Sequence, residues 1–340
     1  MWAMRRTLVV IAALAAAGCS RTTDPAGGDP PGGSSAAESL TALPVDPQEI
    51  KYIVALGNLN PPGHTLPTDH MYLYMMNPDS CPCDLARQRT LYAPGGGVVA
   101  YVVRGADDGV TVRMNADVLY SLGHLLLDPA IQPGTPITAG QVLGTTSGLS
   151  FALDFGVYDR RVVNTGFVNP ARYPATTLIT DGPLKHYAEP YRTGLYALVR
   201  RDGAEKDGKI DYSQAGRLVG DWFLLGLPPA DSYGPPGWPK SLAFVYDNRH
   251  PTEVRISIGG TLALQGVYAI GPADPVPATV APAAGAVRYS LYSPFSMPPG
   301  GSTLGALLVQ MTAPDTLRVE AFPGAGGSVA FTDSAKVYTR

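Results

Sequence analysis

Among the five histidines of this 340-residue chain, His70 and His124 stand in apolar segments where an imidazole is unusual. His70 follows Asp69 and opens the run Met71 to Met76. His124 lies in Tyr120 to Leu125. A third polar group, Asp154, interrupts the apolar run Phe151 to Val157 between Leu153 and Phe155. Imidazole and carboxylate are the side chains that hold zinc or pass protons, and a catalytic zinc needs three firm ligands and one open position. Side chains alternate faces along a strand, so His70, Tyr72 and Tyr74 point one way, as do Ala152, Asp154 and Gly156. The small neighbours Ala152 and Gly156 leave a concavity around Asp154. An unpaired carboxylate inside an apolar strand is strongly disfavoured. Asp154 is therefore expected to pair with His70 or His124, to bind a metal, or to face an open groove. His64 reads as a loop histidine, Asp69 as a turn or cap residue, and His186 and His250 sit in polar loops with no chemistry assigned.

The elements that must position these groups are β-strands. Tyr52 to Leu56, Met71 to Met76, Val98 to Arg104, Val110 to Met114, Val118 to Leu122 and Phe151 to Tyr158 are short apolar runs bounded by Gly, Asp-Gly and Pro-Gly turns. No segment before residue 180 carries a long 3.6-residue period. After a Pro-punctuated stretch near 170–192, apolar runs recur about every ten residues, among them Leu195 to Arg200, Leu218 to Leu225 and Leu304 to Met311. Hydrophobic residues make up 45% of the chain, beside 39 Gly and 33 Pro, which suits a packed, turn-rich β protein. The fold class is all-β: an antiparallel β-sandwich, then a second β-sandwich or β-barrel. The expected organisation is a signal peptide over 1–18, a tether over 19–48, a first domain over 49–175, a linker over 176–192 and a second domain over 193–340.

Four segments of the first domain carry a family likeness. Leu91-Tyr92-Ala93-Pro94-Gly95-Gly96-Gly97-Val98-Val99 resembles a hairpin of the lysostaphin/LytM-type zinc peptidases. Gly123-His124-Leu125 resembles the end of their Tyr-x-His-Leu segment. Ile137 to Gly144 is similar to their Gly-Gln turn, and Phe151 to Val157 aligns with the strand bearing their His-x-His pair. The resemblance covers about residues 50–160 and implies a small antiparallel β-sandwich with an open groove. It implies His70 as first metal ligand, Asp154 at the position of the last, and His124 beside the attacking water as the catalytic candidate. Tyr72, Tyr74 and Ala152 line the implied groove. This sequence departs from the pattern at Tyr74, where the family has a ligand Asp, and at Ala152, where it has a water-side His. The expectation is a degenerate site without bound metal and without conventional catalysis, which binds peptidoglycan or an envelope protein. The alternatives are a zinc-dependent peptidoglycan endopeptidase with a rearranged His/Asp set, and a small-ligand carrier.

Location follows from the N-terminus. Arg5 and Arg6, the apolar stretch Thr7 to Ala17, and Ala16-Ala17-Gly18-Cys19 have the order of an export signal with a cysteine at the cut. This resembles a bacterial lipobox, which implies lipidation of Cys19, membrane attachment through that lipid, and residence at the outer membrane facing the periplasm. The tract 20–48 reads as a flexible tether. Cys81-Pro82-Cys83 can close a local disulfide in an oxidising envelope or remain as thiols. A net charge of −3 without basic runs argues against a nucleic-acid partner.

The second domain carries Gly220-Asp221-Trp222, a Gly-x-Trp resembling that of lipocalin-type barrels, where the Trp plugs one end. Strand count and spacing suit a closed barrel of eight or more strands, filled by side chains or holding one small ligand. The latter is the carrier alternative. The domain is expected to bind, support or position.

Overall fold

A computed structural model describes residues 39–76, 87–294 and 303–340 of the chain. Cys19, Cys81 and Cys83 lie outside the described residues. The chain is all-β. A 10-stranded antiparallel sheet is followed by a closed barrel of eight antiparallel strands.

The sheet runs β1(Tyr52–Val54)-β2(Met71–Tyr74)-β9(Ala152–Asp159)-β6(Val118–Leu127)-β5(Asp108–Arg113)-β4(Gly97–Val103)-β7(Pro136–Ile137). Off this path, β3(Thr90–Tyr92) pairs β8(Val142–Thr146), β8 pairs β6, and β10(Thr180–Asp181) pairs β9. Alternation decides its two faces. Ile53, Met71, Leu73, Leu153, Phe155, Val157, Tyr120, Leu122, Val110 and Val112 are buried in one core. The opposite face carries Tyr72, Tyr74, Ala152, Asp154, Gly156, Ser121 and Gly123, in register as Tyr72↔Asp154↔Gly123 and Gly156↔Ser121. Close packing of this floor needs glycine. A Cβ at Gly156 would come within 2.7 Å of Ser121 Oγ, and one at Gly123 within 3.2 Å of the Asp154 carboxylate.

The stretch 176–192, read from sequence as a linker, carries β10 on the edge of this sheet and leads into a short helix, Tyr191–Tyr196. The apolar run Leu195 to Arg200 is not a strand. Its first residues end that helix; Val199 then bridges to Ile53, and the Arg200 guanidinium lies 3.6 Å from the centre of the Tyr52 ring. A short apolar run has no period by which strand and helix can be told apart.

The barrel is β11(Gly220–Leu224), β12(Ser241–Tyr246), β13(Val254–Ile258), β14(Gly266–Ile270), β15(Ala286–Tyr292), β16(Gly305–Ala313), β17(Thr316–Pro323) and β18(Lys336–Thr339). Each strand pairs with the next. Phe223↔Thr339 and Leu224↔Tyr338 close the ring, which decides between the two architectures expected for this half. Trp222, Leu242, Phe244, Ile256, Tyr289, Leu307, Val319 and Tyr338 are buried together inside it; a barrel of eight strands is of a size that side chains fill. Trp222 Nε1 donates to Leu218 O at 2.8 Å, and the Arg340 guanidinium lies 3.8 Å from the centre of its ring.

The outer wall of the barrel docks on the first domain. Phe223, Ala243 and Val245 form a second apolar cluster with Leu66 and Leu227. Thr65 Oγ1 donates to Trp238 O at 2.6 Å, and Arg172 Nη1 donates to Leu227 O and Ser232 Oγ.

Candidate functional site

His70, His124 and Asp154 meet on the open face of the sheet. His70 precedes β2, and Asp154 is on β9, directly across from Tyr72. His124 arrives by a different device. Along β6 the buried residues are Val118, Tyr120 and Leu122, and then Leu125 and Leu127. The alternation slips by one, and the pairing shifts between Asp108↔Leu125 and Gly109↔Gly123. His124 is the extra residue of this β-bulge. Its φ of 66° is the only left-handed value at a non-glycine position among the described residues. A bulge re-aims a side chain, and here Gly123 and His124 both face the groove. The left-handed conformation costs an L-residue roughly 1–2 kcal/mol, so the strand gives up stability to place this imidazole.

The two imidazoles are held alike. His70 Nδ1 lies 3.1 Å from Asp69 Oδ1, and His124 Nδ1 lies 2.5 Å from Asp107 Oδ2. The Nε2 atoms of both stand 3.5 Å from Asp154 Oδ2. Asp69 is itself fixed by Thr177 Oγ1, which donates to Oδ2 at 2.5 Å. His70 Nε2 also meets the Tyr72 hydroxyl at 3.1 Å. Asp154 Oδ1 is buried and has no hydrogen-bond partner among the described residues.

The electrostatics are those of a His–Asp network, in which carboxylates favour the charged form of two imidazoles. Asp69, Asp107 and Asp154 surround two imidazoles, and no Lys or Arg pairs with any of the three among the described residues. Burial opposes the charge on His124, but Asp154 and the bond to Asp107 outweigh it and raise its pKa to about 9. His70 shows the same balance: burial lowers it, while Asp154 and Asp69 carry it above its ordinary value. His64 goes the other way, down to about 4, first because it is buried and then because His70 repels its charge. Burial, with Asp154 adding to it, pushes the Tyr72 hydroxyl well above the usual tyrosine range.

His70, His124 and Asp154 carry the donor types of a divalent metal site, but their ligand atoms do not all lie within 4.8 Å of one another, so the side chains would have to draw together to hold an ion. A ligating histidine ordinarily gives its second nitrogen to a carboxylate, which fixes tautomer and ring orientation; Asp69 and Asp107 do this here. Two Nε2 atoms and one carboxylate would then face the ion, a set used by catalytic zinc, and the orphaned Oδ1 of Asp154 would gain a partner. Tyr74 and Ala152 lie on the same face, paired across the sheet. Tyr74 stacks on Tyr52 with ring centres 4.5 Å apart and supplies no carboxylate.

Three participants were not legible as such in the sequence. Asp69, read as a turn or cap residue, does precede β2, but its carboxylate reaches the His70 ring. Asp107 stands in the turn before β5. His64 is no spectator loop residue: its ring is 5.4 Å from that of His70 and 4.6 Å from Trp238 of the second domain. Among the described residues, the one group whose His and carboxylate ligand atoms all lie within 4.8 Å of one another is Asp159, Asp181 and His186. There Arg161 binds both oxygens of Asp159, and Lys185 and His186 bind Asp181, so the carboxylates are already neutralised.

Comparison with protein-family models finds no match, and neither does comparison with curated proteins. Solved structures do match. Helicobacter pylori Csd3 is 15% identical over 44% of this chain and 33% of its own, with a TM-score of 0.28. A zinc containing peptidase from Vibrio cholerae is 18% identical over 36% of this chain and 37% of its own, TM-score 0.28. Lysostaphin in solution is 11% identical over 89% of this chain and 91% of its own, TM-score 0.28. These likenesses are distant, each at a TM-score of 0.28. The match spans about a third of the first two of these chains.

Proposed function

We propose that this chain is a lipid-anchored envelope protein whose first domain holds a divalent metal, zinc by its donor set, and acts on the peptide part of peptidoglycan. The observation that carries this reading is the convergence of His70 Nε2 and His124 Nε2 on Asp154, with a carboxylate behind each imidazole. Zinc in such a site supplies Lewis-acid polarisation of a carbonyl and an activated water. Asp69 and Asp107 orient the two imidazoles, and Tyr72 fixes His70 from the groove side. Lipidation of Cys19 would keep the domain near that polymer, and the barrel supports it from the Trp238 side.

Binding without turnover is the second reading. Ala152 favours it, because the resemblance puts a water-side imidazole at that position and a methyl group cannot stabilise developing charge. One experiment separates the two readings. The full chain in detergent, loaded with zinc, is incubated with purified peptidoglycan, and soluble peptides are followed by mass spectrometry. Release that disappears in His70→Ala and in Asp154→Asn supports hydrolysis. Stoichiometric zinc and sedimentation with peptidoglycan without release support binding alone. Absence of both zinc and sedimentation would sink both readings.

A further inference from the structure

The sheet face that bears Asp154 also bears, two strands away, a charged group that the metal reading does not use. Along β9 the open face carries Asp154, Gly156 and Tyr158; along β6 it carries Gly123, Ser121 and Leu119. In register, Tyr158↔Leu119 and Leu119↔Arg113 bring Arg113 of β5 to this same face. Its direct cross-strand partners are Leu119 of β6 and Val98 of β4, and Thr111 precedes it on the same face; hydroxyl groups lie further along the strands. Ser121 Oγ lies 3.3 Å from the Tyr158 hydroxyl, and Thr111 is paired with Ser121. Arg113 is half-buried. Its Nε is buried without a hydrogen-bond partner, and its guanidinium makes no ion pair, among the described residues. Most buried polar atoms in folded proteins are paired, so such an atom asks for a ligand. Here the strands hold a planar, five-donor cation between Leu119 and Val98, with Thr111 beside it. Guanidinium recognises carboxylates in two-pronged fashion, which a lysine cannot match.

The geometry points to Arg113 as a carboxylate-binding subsite of the groove, whose ligand is an extended peptide with a free carboxylate. This rests on the proposed peptide-directed function. Two strand spacings and four residues along the strand separate Arg113 from Asp154, about 16 Å. An extended peptide rises ~3.3–3.6 Å per residue, so the carboxylate sits about five residues from the groove's Asp154 end. A peptide whose terminal carboxylate is amidated loses this contact and keeps the others.

The test uses two probes, the peptidoglycan stem pentapeptide with a free C-terminal carboxylate and the same peptide with a C-terminal amide. Binding to the full chain in detergent is measured by titration calorimetry, with zinc content measured on the same samples. The free acid is expected to bind on the order of tenfold tighter than the amide, the scale of one hydrogen bond to a charged group. R113Q is expected to erase that preference, R113K to restore part of it, and both to leave zinc content and amide affinity unchanged. Equal affinity of the two peptides for the unaltered chain, binding of neither, or a preference that survives R113Q overturns the subsite. Zinc uptake without the preference overturns the subsite alone. A preference that R113Q abolishes in a chain that takes up no zinc supports the subsite and overturns the metal reading.

Discussion

Replacing Asp221 by Asn should make the protein more stable at pH 8 while leaving it nearly unchanged at pH 4. Asp221 is on β11, facing outward into the contact between barrel and sheet domain, and is only 3% exposed. Tyr173 of the sheet domain donates to Oδ2 at 2.7 Å, while Oδ1 has no partner among the described residues. Burial pushes this carboxyl from 3.8 up to about 7, against the pull of the Tyr173 bond and of Arg340. The folded state therefore keeps a proton that the unfolded chain loses near pH 4. The stability contributed by this group is complete below that pH, declines as pH rises toward 7, and is gone above it. A shift of about three units at ~1.4 kcal/mol each amounts to roughly 4 kcal/mol across the window. An Asn amide oxygen accepts the same Tyr173 bond and cannot ionise. Guanidinium unfolding of both proteins between pH 4 and 8, read as the difference between them at each pH, cancels the titration of groups they share. The difference should open with rising pH in favour of Asp221→Asn and level off above pH 7. Parallel pH profiles would refute the reasoning, because they would mean that the carboxyl ionises in place without cost.

Further expectations concern the devices that build the site and the barrel. His124→Gly should be more stable than His124→Ala by about 1 kcal/mol, since both lose the imidazole but only alanine stays strained at a φ of 66°. Thermal melts that rank alanine at or above glycine would contradict the bulge. Trp222→Ala removes the barrel's buried plug, its bond to Leu218 O and the ring under Arg340, at about 3–5 kcal/mol; a denaturation loss under about 1 kcal/mol would contradict that role. Gly144→Ala would bring a Cβ within 2.2 Å of Leu126 O at a φ of 146°, so soluble, folded protein with an unchanged melting temperature is the outcome to rule out.

Much of the fold can be read from local pattern. Turn residues around Gly95-Gly96-Gly97 and Gly140-Gln141, and period-two strands such as Ala152–Asp159, carry it in the side chains themselves. His70, His124 and Asp154 stand out because polar groups inside apolar runs need a reason. Their supporting carboxylates do not stand out. Asp69 and Asp107 lie in turns, where aspartate is ordinary, and only tertiary structure turns them toward imidazoles. The bulge at His124 is equally silent, because a left-handed residue is signalled in sequence by glycine and here the residue is histidine. His64 depends on Trp238, more than 170 residues away in the chain, and the β11 to β18 closure on residues more than 110 apart. Neither leaves a local trace.

Whether His70, His124 and Asp154 together hold a metal is read directly by zinc X-ray absorption on the full, zinc-loaded chain. The expected spectrum contains two imidazole ligands and a carboxylate oxygen, with one imidazole lost in His124→Ala. A one-imidazole spectrum that is unchanged in His70→Ala and lost in His186→Ala would place the ion at Asp159 and Asp181 instead. That result, or a chain that takes up no zinc, would contradict the account.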